Sequence, residues 1–595
     1  MTGNFYELAY PYLHQRFVSK MSDFLKAFAR RSDGMLKTSG AVERSVYVAV
    51  GLVMARTLVN EGFGGVSRDL VLFLRKMPLV NSIIDMVLEG EVKGAMKLLA
   101  GSDDGGEGGE TINLMEIPEK GVSPETVVKV LAKMKESETT AEDGRAFAYT
   151  YTTKADMAEF AKSLGSAYSL YTASAESNSA DHETMLTKAW DMFMHSNALN
   201  PMMYPSLRRM ETEVISMAGW MLHGNNNVSG ALTSGGTESI LMAIKCYRDL
   251  ARAKKAHITE PNMVVSTTIH PAFEKAAHYF NVEIIHVEPN PVDQRMDVAA
   301  TRAACNRNTI LLVGSAPQYC HGVVDPIEAL SELALEKDLP LHVDACFGGF
   351  MLPWMEKLGR DIPLWDFRVK GVTSISADIH KYGYSSKGAS CLLYKTSQLR
   401  EYQYFAYSQW PGGLFGSPSL AGSRPGGMIA AAWAALVGMG QSGYMEIARN
   451  VCTTTDKLCA GVSAIKGIRL LTKPDMTSLA IVPSDDEHAV NILAVADIME
   501  EKMGGWKMER QQLPDSLHLS VLPQHSRTAD QFLLDMQRAV NYVREHPETA
   551  NQGTTGVYGM VAKVPDKGII NSFLKKFFSE LYHLEKGNTI LDQFK

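Results

Sequence analysis

The chain has 595 residues, of which 45% are hydrophobic and 21% are charged, and its formal net charge at pH 7 is -7. These values are typical of soluble globular proteins and argue against a fibrous or disordered chain. The negative charge, without a basic block beside it, argues against nucleic-acid binding as the main function. The length predicts three or more structural units, because one domain usually takes about 100 to 200 residues.

The first hundred residues show helical spacing of apolar side chains, from Tyr6 to about Leu99. The apolar run Ser45–Ala55 is shorter than the ~20 residues of a membrane span, and no secretory signal pattern precedes it. We therefore expect packed helices and a cytoplasmic protein. Residues 101–110 contain only glycine, serine, aspartate and glutamate, which predicts a flexible surface loop. Seven cysteines without CxxC spacing predict neither a disulfide framework nor a metal site.

Beyond Met203, short apolar runs rich in β-branched residues alternate with helical stretches. The runs lie at Met263–Thr268, Ile284–Val287, Thr309–Gly314, Leu339–Val343 and Val372–Ser376. Such alternation predicts a mostly parallel sheet covered by helices, which is an α/β fold.

A second, smaller α/β unit is predicted after Pro425. An Ala/Gly-rich helix at Met428–Met439 is followed by weaker strands at Ser478–Pro483 and Ser516–Leu522. Near the end, Ile569, Ile570, Phe573, Phe577, Leu581 and Leu584 recur at helical spacing, which predicts a packed helix, with a membrane-surface helix as the alternative. We therefore divide the chain into an N-terminal helical segment (1–200), a large domain (201–425), a small domain (426–545) and a C-terminal helical extension (546–595).

Two residues at strand ends have the chemistry of pyridoxal-5'-phosphate (PLP) binding. Lys381 ends the segment Ser374–Lys381, and Asp344 follows the strand Leu339–Val343. The cofactor needs an amine for its Schiff base and a carboxylate that keeps its pyridine nitrogen protonated. Taken singly, such a lysine is usually solvated, and such an aspartate is often a helix cap.

Two further segments supply what this cofactor needs. The glycines of Ser234–Ser239 (SGGTES) precede a helix, where free backbone amides attract a phosphate, although the same segment is also typical of an ordinary capped helix. His270 follows the strand Met263–Thr268 and could stack on a pyridine ring, or simply lie in the core. The four features together favour a PLP site.

The chain resembles the PLP-dependent group II decarboxylase family. The resemblance lies in TSGGTES (233–239), SAPQYCHGVVDPI (315–327), HVDACFGGF (342–350), SADIHKYGYSSKG (376–388) and AGSRPGG (421–427). Weaker similarity extends from about Tyr168 to Met560. Within the family, the chain is most similar to lyases that act on phosphorylated sphingoid bases. The resemblance implies the aminotransferase fold type I, with a seven-stranded sheet in the large domain, and a homodimer whose active site lies between the subunits.

For the cofactor ring, the resemblance implies five residues. Lys381 would carry PLP as a Schiff base, and Asp344, with Ala345 directly after it, would pair with the pyridine nitrogen. His270 would stack on the ring, and His380 would lie beside the Schiff base.

For the phosphate groups, the resemblance implies a second set of residues. Gly236 and Thr237 would hold the cofactor phosphate, together with Ser423 from the neighbouring chain. Lys387, and Tyr168 from the partner subunit, would bind the substrate phosphate.

The implied reaction is a retro-aldol cleavage of a phosphorylated sphingoid base to a long-chain aldehyde such as hexadecenal, and phosphoethanolamine. Tyr319 would lie close to the reacting carbon, and released Lys381 or a phosphate-assisted water would take the hydroxyl proton. Amino-acid decarboxylation is the alternative, since it uses the same cofactor residues. A binding or scaffold protein that has kept only the fold is a third interpretation, which the intact Lys381 argues against.

The chain also departs from the pattern of these lyases. Asn200 in Leu199–Pro201 stands where a substrate-contacting histidine of the partner subunit is usual, so proton transfer or phosphate affinity is expected to differ. Ser385, Ser386 and Cys320 replace Ala, Pro and Pro without adding or removing a catalytic group. The lack of an N-terminal membrane span resembles bacterial members. If the source is a bacterium without sphingolipids, the implied reaction would require a substrate from a eukaryotic host. Peripheral contact with host membranes would give access to that lipid.

Overall fold

The computed structural model describes residue 131 and residues 144–147, 182–551 and 567–582. The predicted N-terminal helices, the loop 101–110 and Tyr168 lie outside these residues. The chain divides into two units, of which Thr139–Pro547 is one, and each is described by itself. Across the described residues, no helix is both long and apolar enough to cross a membrane.

The large sheet has seven strands. They are β1 (Ser229–Thr233), β2 (Asn262–Ser266), β3 (Glu283–Val287), β4 (Thr309–Ser315), β5 (Leu341–Asp344), β6 (Val372–Ala377) and β7 (Ser390–Tyr394). Their order is β1-β7-β6-β5-β4-β2-β3, in which β7 runs antiparallel to both neighbours and the other pairs are parallel. This agrees with the predicted α/β fold and its mostly parallel seven-stranded sheet.

Helices alternate with these strands along the chain. They are α1 (His182–Phe193), α2 (Pro205–Met221), α3 (Gly236–Lys254), α4 (Ala272–Phe280), α5 (Val298–Ala304), α6 (Ile327–Glu336), α7 (Leu352–Lys357) and α8 (Ser397–Arg400), and α8 leads into a 3-10 turn (Glu401–Gln403). All residues of β2 and β4 are buried, as a parallel sheet covered on both faces requires.

A two-stranded hairpin, β8 (Phe405–Tyr407) and β9 (Phe415–Ser417), lies between the large sheet and the next helix along the chain. That long helix, α9 (Gly426–Ser463), is interrupted at Gly440, whose φ of 57° and ψ of 178° are not helical. The predicted helix Met428–Met439 is therefore the first segment of a longer element.

The second sheet is antiparallel and has four strands. They are β10 (Ile468–Leu470), β11 (Ser478–Pro483), β12 (Glu509–Gln511) and β13 (Ser516–Ser520), in the order β10-β11-β13-β12. Helices α10 (Ile492–Glu501) and α11 (His525–Glu545) accompany them, and a 3-10 turn (Pro547–Asn551) comes after α11. In the other unit, α12 (Lys567–Leu581) coincides with the helix that the terminal apolar spacing predicts.

Candidate active site

A cavity of about 490 Å³ lies where the chain leaves several strands of the large sheet. It is lined by Ser234, Gly235, Gly236, Thr237, Glu238, Ile240, His270, Ser315, Pro317, Tyr319, Asp344, Cys346, Phe347, Asp378, His380, Lys381 and Glu509. Most of these residues directly follow β1, β2, β4, β5 or β6. The carboxyl ends of the parallel strands therefore form this cavity, as in other open α/β sheets.

Lys381 forms an ion pair inside the cavity. Its Nζ lies 3.0 Å from Oδ2 of Asp378, a carboxylate that is 3% exposed. Burial disfavours the ammonium, but the charge and hydrogen bond of Asp378, together with the charges of Cys346 and Asp344, raise the pKa of Lys381 above its ordinary value. The same attraction lowers the pKa of Asp378 against the effect of its own burial. The amine is thus held as a cation at a fixed position.

His380 lies between Asp378 and the start of β7. The backbone N–H of Ala389 donates to Nδ1 of His380 at 3.2 Å, so the neutral ring carries its proton on Nε2. That nitrogen lies 3.7 Å from Oδ2 of Asp378. Burial lowers the pKa of His380, although the charge of Asp378 opposes this. The ring is therefore a neutral donor next to the lysine.

Asp344 ends β5 and is 7% exposed. Its Oδ1 accepts hydrogen bonds from the backbone N–H of Cys346 at 3.1 Å and from the Ser376 hydroxyl at 3.3 Å. Its Oδ2 accepts no hydrogen bond from any described residue. One carboxylate oxygen is thus fixed by the protein, and the other is left for a donor in the cavity.

The amino end of α3 forms one wall of the cavity. The residue before the helix is Gly235, whose φ of 151° suits glycine, and no side chain caps the first backbone N–H groups. A Cβ added to Gly236 would lie 2.9 Å from both carboxylate oxygens of Asp378 and from Sγ of Cys346. The helix start therefore presents open amide donors against a space that a side chain would fill, which is the arrangement a phosphate group needs.

Glu238 holds this loop in place. Its Oε2 accepts from the backbone N–H and the hydroxyl of Ser234, at 2.8 and 2.6 Å. Its Oε1 accepts from the N–H of Leu420 at 3.3 Å. The glycine-rich loop is thereby tied to the segment after the β8–β9 hairpin. The Ser234 hydroxyl therefore donates to Glu238 and does not cap α3.

His270 and Tyr319 lie on other walls of the same cavity. The N–H of Ala272 donates to Nδ1 of His270 at 3.1 Å. The Tyr319 ring stacks on His518 with 4.2 Å between the ring centroids, and it meets Phe347 edge-on at 5.7 Å. Both side chains are thus oriented by neighbours in the protein.

The remaining predicted site residues lie elsewhere. Ala345 is fully buried behind the cavity, where its N–H donates to Ser376. The Lys387 side chain is exposed and does not line the cavity, and its Nζ donates to the backbone oxygen of His380 at 3.1 Å. Asn200 and Ser423 are also exposed and do not line it. Tyr168 is outside the described residues.

Three carboxylates of the cavity wall were not predicted as site residues from the sequence. Asp378 lies three residues before Lys381, a spacing that could have suggested an ion pair. Glu238 follows the glycines of the α3 start and matches a capping pattern. Glu509 lies far along the chain in β12, and no local pattern marks it.

Comparisons with known proteins show which family the chain is similar to. Residues 169–481 match the family model described as the pyridoxal-dependent decarboxylase conserved domain. A sphingosine-1-phosphate lyase of Dictyostelium discoideum is 42% identical over 402 residues, which cover 67% of this chain and 74% of that protein. The solved structure of a Burkholderia pseudomallei sphingosine-1-phosphate lyase has 38% identity and a TM-score of 0.66, covering 77% of this chain and 99% of that one.

A glutamate decarboxylase structure from Lactobacillus brevis is similar in fold alone. It has 18% identity and a TM-score of 0.60, and it covers 73% of this chain and 96% of that one.

Proposed function

The chain belongs to the pyridoxal-dependent decarboxylase family and, within it, to the sphingosine-1-phosphate lyases, and from this premise we propose that it cleaves phosphorylated sphingoid bases to a long-chain aldehyde and phosphoethanolamine. The membership confirms the predicted cofactor, PLP, and the predicted enzyme class, a carbon–carbon lyase. When bound, the cofactor supplies an electron sink for the pair released by the breaking bond.

One observation carries the proposal at the level of the site. The same cavity is lined by a partly buried lysine, by a carboxylate with one oxygen left for a cavity donor, and by an open helix start. We propose that Lys381 binds the cofactor covalently, that Asp344 accepts from its ring nitrogen, and that the first amides of α3 at Gly236 and Thr237 hold its phosphate. His270 would cover one face of the ring.

The charges around the cavity bear on the alternative function, a decarboxylase of acidic amino acids. Such a decarboxylase needs a cation for the side-chain carboxylate of its substrate. Among the described residues that line the cavity, Lys381 is the one lysine or arginine. Arg510 turns instead to Asp497, 2.6 Å away, in a pair that is about nine-tenths buried. Glu509 adds a further negative group to the wall. The substrate phosphate of a lyase also needs a cation, so we propose that it lies beyond this wall, where the family resemblance assigns it to Lys387.

We also propose that two copies of the chain form the active enzyme. Ser423, which the family resemblance assigns to a cofactor phosphate, is exposed and bonded to Asn197 at 3.1 Å. Trp410 and Leu414, in the nearby β8–β9 hairpin, are 52% and 89% exposed. Large apolar side chains at this exposure are typical of a surface that a partner covers. Ser423 does not line the cavity of its own chain, and in a dimer it would line the cavity of the second copy.

The test uses purified, PLP-loaded protein and its Lys381→Ala variant with sphingosine-1-phosphate as substrate. We expect equal amounts of phosphoethanolamine and long-chain aldehyde from the wild type and neither product from the variant. A Lys357→Ala variant, which changes a lysine outside the cavity lining, is the control and should retain the activity. Equal product formation by the Lys381→Ala variant would overturn the proposal.

A further inference from the structure

Four carboxylates line the cavity, and three of them are bound to the protein. Asp344 accepts from Cys346 and Ser376, Asp378 pairs with Lys381, and Glu238 accepts from Ser234 and Leu420. The fourth, Glu509, forms no side-chain hydrogen bond or ion pair with any described residue. Glu509 is partly buried and lines the cavity, so its carboxylate is the one of the four that is left open to a group inside the cavity.

The strand pairing explains why Glu509 faces inward. It stands opposite His518 in the antiparallel β12–β13 register, so both side chains lie on the same face of the small sheet. The His518 ring stacks on Tyr319, which lines the cavity. The next residue, Arg510, points to the other face, where Asp497 and Glu500 bind it. Because side chains alternate along β12, Glu509 lies on the cavity side of the strand and Arg510 lies on the opposite side.

The groups around Glu509 leave its charge largely uncompensated. Burial raises the pKa of Glu509, and the more distant charge of Arg510 opposes this only in part. Burial lowers the pKa of His518 to about 4, so this facing ring is neutral near pH 7. Tyr319 is the other polar group stacked against that ring. A carboxyl group with a raised pKa is suited to exchanging a proton near neutral pH.

The proposed reaction requires such a group. Cleavage between the amino-bearing carbon and the adjacent carbinol carbon can proceed only if the carbinol hydroxyl loses its proton. Asp344, Asp378 and Glu238 already have protein partners, and Lys381 is the residue proposed to carry the cofactor. Glu509 is therefore the carboxylate of the described cavity wall that is available as a base.

We propose that Glu509 is the general base of the retro-aldol step, an inference that rests on the proposed function. A carboxylate oxygen of Glu509 takes the hydroxyl proton, and the O–H electron pair becomes the second bond of the aldehyde carbonyl. The carbon–carbon bond breaks, and its electron pair passes to the amino-bearing carbon, which takes up one proton to give phosphoethanolamine, so that one proton is removed and one is added. Proton and electrons balance without an oxidant or reductant.

The experiment compares Glu509→Gln and Glu509→Asp with the wild type. Glutamine keeps the shape of the side chain but accepts no proton, so kcat should fall about 100-fold or more with little change in KM. Aspartate keeps the carboxylate and should recover part of kcat. Glu501→Gln, an exposed acid at the end of α10, is the matched control and should behave as the wild type.

Two readouts separate a base from a structural residue. The dissociation constant of PLP, and that of a phosphorylated sphingoid base lacking the carbinol hydroxyl, should be the same in Glu509→Gln and in the wild type. In the wild type, kcat should fall as pH drops through the raised pKa of Glu509, because the base becomes protonated. The glutamine variant should lack this acidic limb.

The outcomes distinguish this inference from the proposed function. If the wild type cleaves sphingosine-1-phosphate and Glu509→Gln keeps a kcat within about twofold, or keeps the acidic limb, Glu509 is not the base although the lyase activity stands. A variant that loses PLP or analogue binding would also overturn the inference. If the wild type does not cleave the substrate at all, both proposals fail.

Discussion

Asp344 and Asp378 lie in the same cavity, yet their surroundings give them different tasks. Asp378 is paired with Lys381 at 3.0 Å and fixes the position of the amine. Asp344 has no cationic partner among the described residues, and its Oδ1 alone is bonded to the protein. A carboxylate with one oxygen left open can accept from a protonated ring nitrogen. This difference in hydrogen bonding underlies the role proposed for Asp344.

The Asp344→Asn variant should therefore lose rate rather than cofactor. Without the negative charge, the ring nitrogen is less often protonated, and we expect kcat to fall about 100-fold or more, as for other losses of a transition-state charge partner. The PLP dissociation constant should change far less. Steady-state kinetics and a PLP titration measure both, with the exposed Asp361→Asn as control. Weak PLP binding at an unchanged kcat would contradict this role.

Some of these site residues can be predicted from the sequence, and others cannot. Lys381 and Asp344 could be predicted because each lies at or shortly after the end of a recognisable apolar strand, and parallel strands bring such ends together. Glu509 could not be predicted, because its place in the cavity depends on the pairing of β12 with β13 and on the stacking of His518 against Tyr319. Tertiary contacts of this kind leave no periodicity in the sequence.

At the scale of elements, the start of α3 is the feature on which cofactor retention should depend most. Gly235 and Gly236 let the chain turn closely past Asp378, and Glu238 ties the turn to Leu420. The helix has 19 residues, with Arg252 and Lys254 in its last turn, where they suit the negative end of its dipole. The positive end is left for an anion in the cavity.

Replacing Gly236 by alanine should weaken PLP binding. The added Cβ would lie 2.9 Å from Asp378 and from Cys346, so the helix start must move away from the cavity. We expect the PLP dissociation constant to rise about tenfold or more, which corresponds to about 1.4 kcal/mol. Lys254→Ala, at the far end of the same helix, is the control. Unchanged affinity in a folded Gly236→Ala protein would rule out this cradle.

The strands show where local patterns were sufficient. The five predicted strands of the large sheet are rich in Val, Ile and Leu and are all present, with bounds shifted by up to two residues. β1 (SGALT) and β7 (SCLLY) were missed because they contain Ser, Gly and Cys and few β-branched residues. Their pairing with each other and with β6, rather than local propensity, makes them strands.

At the scale of the whole molecule, the proposed dimer assigns Lys381 and Ser423 of one chain to two different cavities. A mixed dimer of a Lys381→Ala chain and a Ser423→Asp chain would then contain one cavity with both changes and one with neither. Differently tagged chains, co-expressed and purified through both tags, should regain about half of the wild-type activity, since one of two sites is intact.

The two parent homodimers serve as the controls for this complementation. Lys381→Ala should be inactive, and Ser423→Asp should bind PLP weakly because its carboxylate repels the phosphate. If Lys381 and Ser423 of one chain served the same cavity, each cavity of this mixed dimer would contain one change. The two chains would then not restore activity. A monomeric wild type would also contradict the assembly.

The proposed lyase activity is best tested by identifying the bond that the wild-type protein breaks. PLP-loaded protein is supplied with sphingosine-1-phosphate and, separately, with a panel of amino acids, and aldehyde, phosphoethanolamine and carbon dioxide are quantified. We expect aldehyde and phosphoethanolamine in equal amounts from the phosphorylated sphingoid base, and no carbon dioxide from the amino acids. Carbon dioxide release with the sphingoid base left intact would contradict it and identify a decarboxylase.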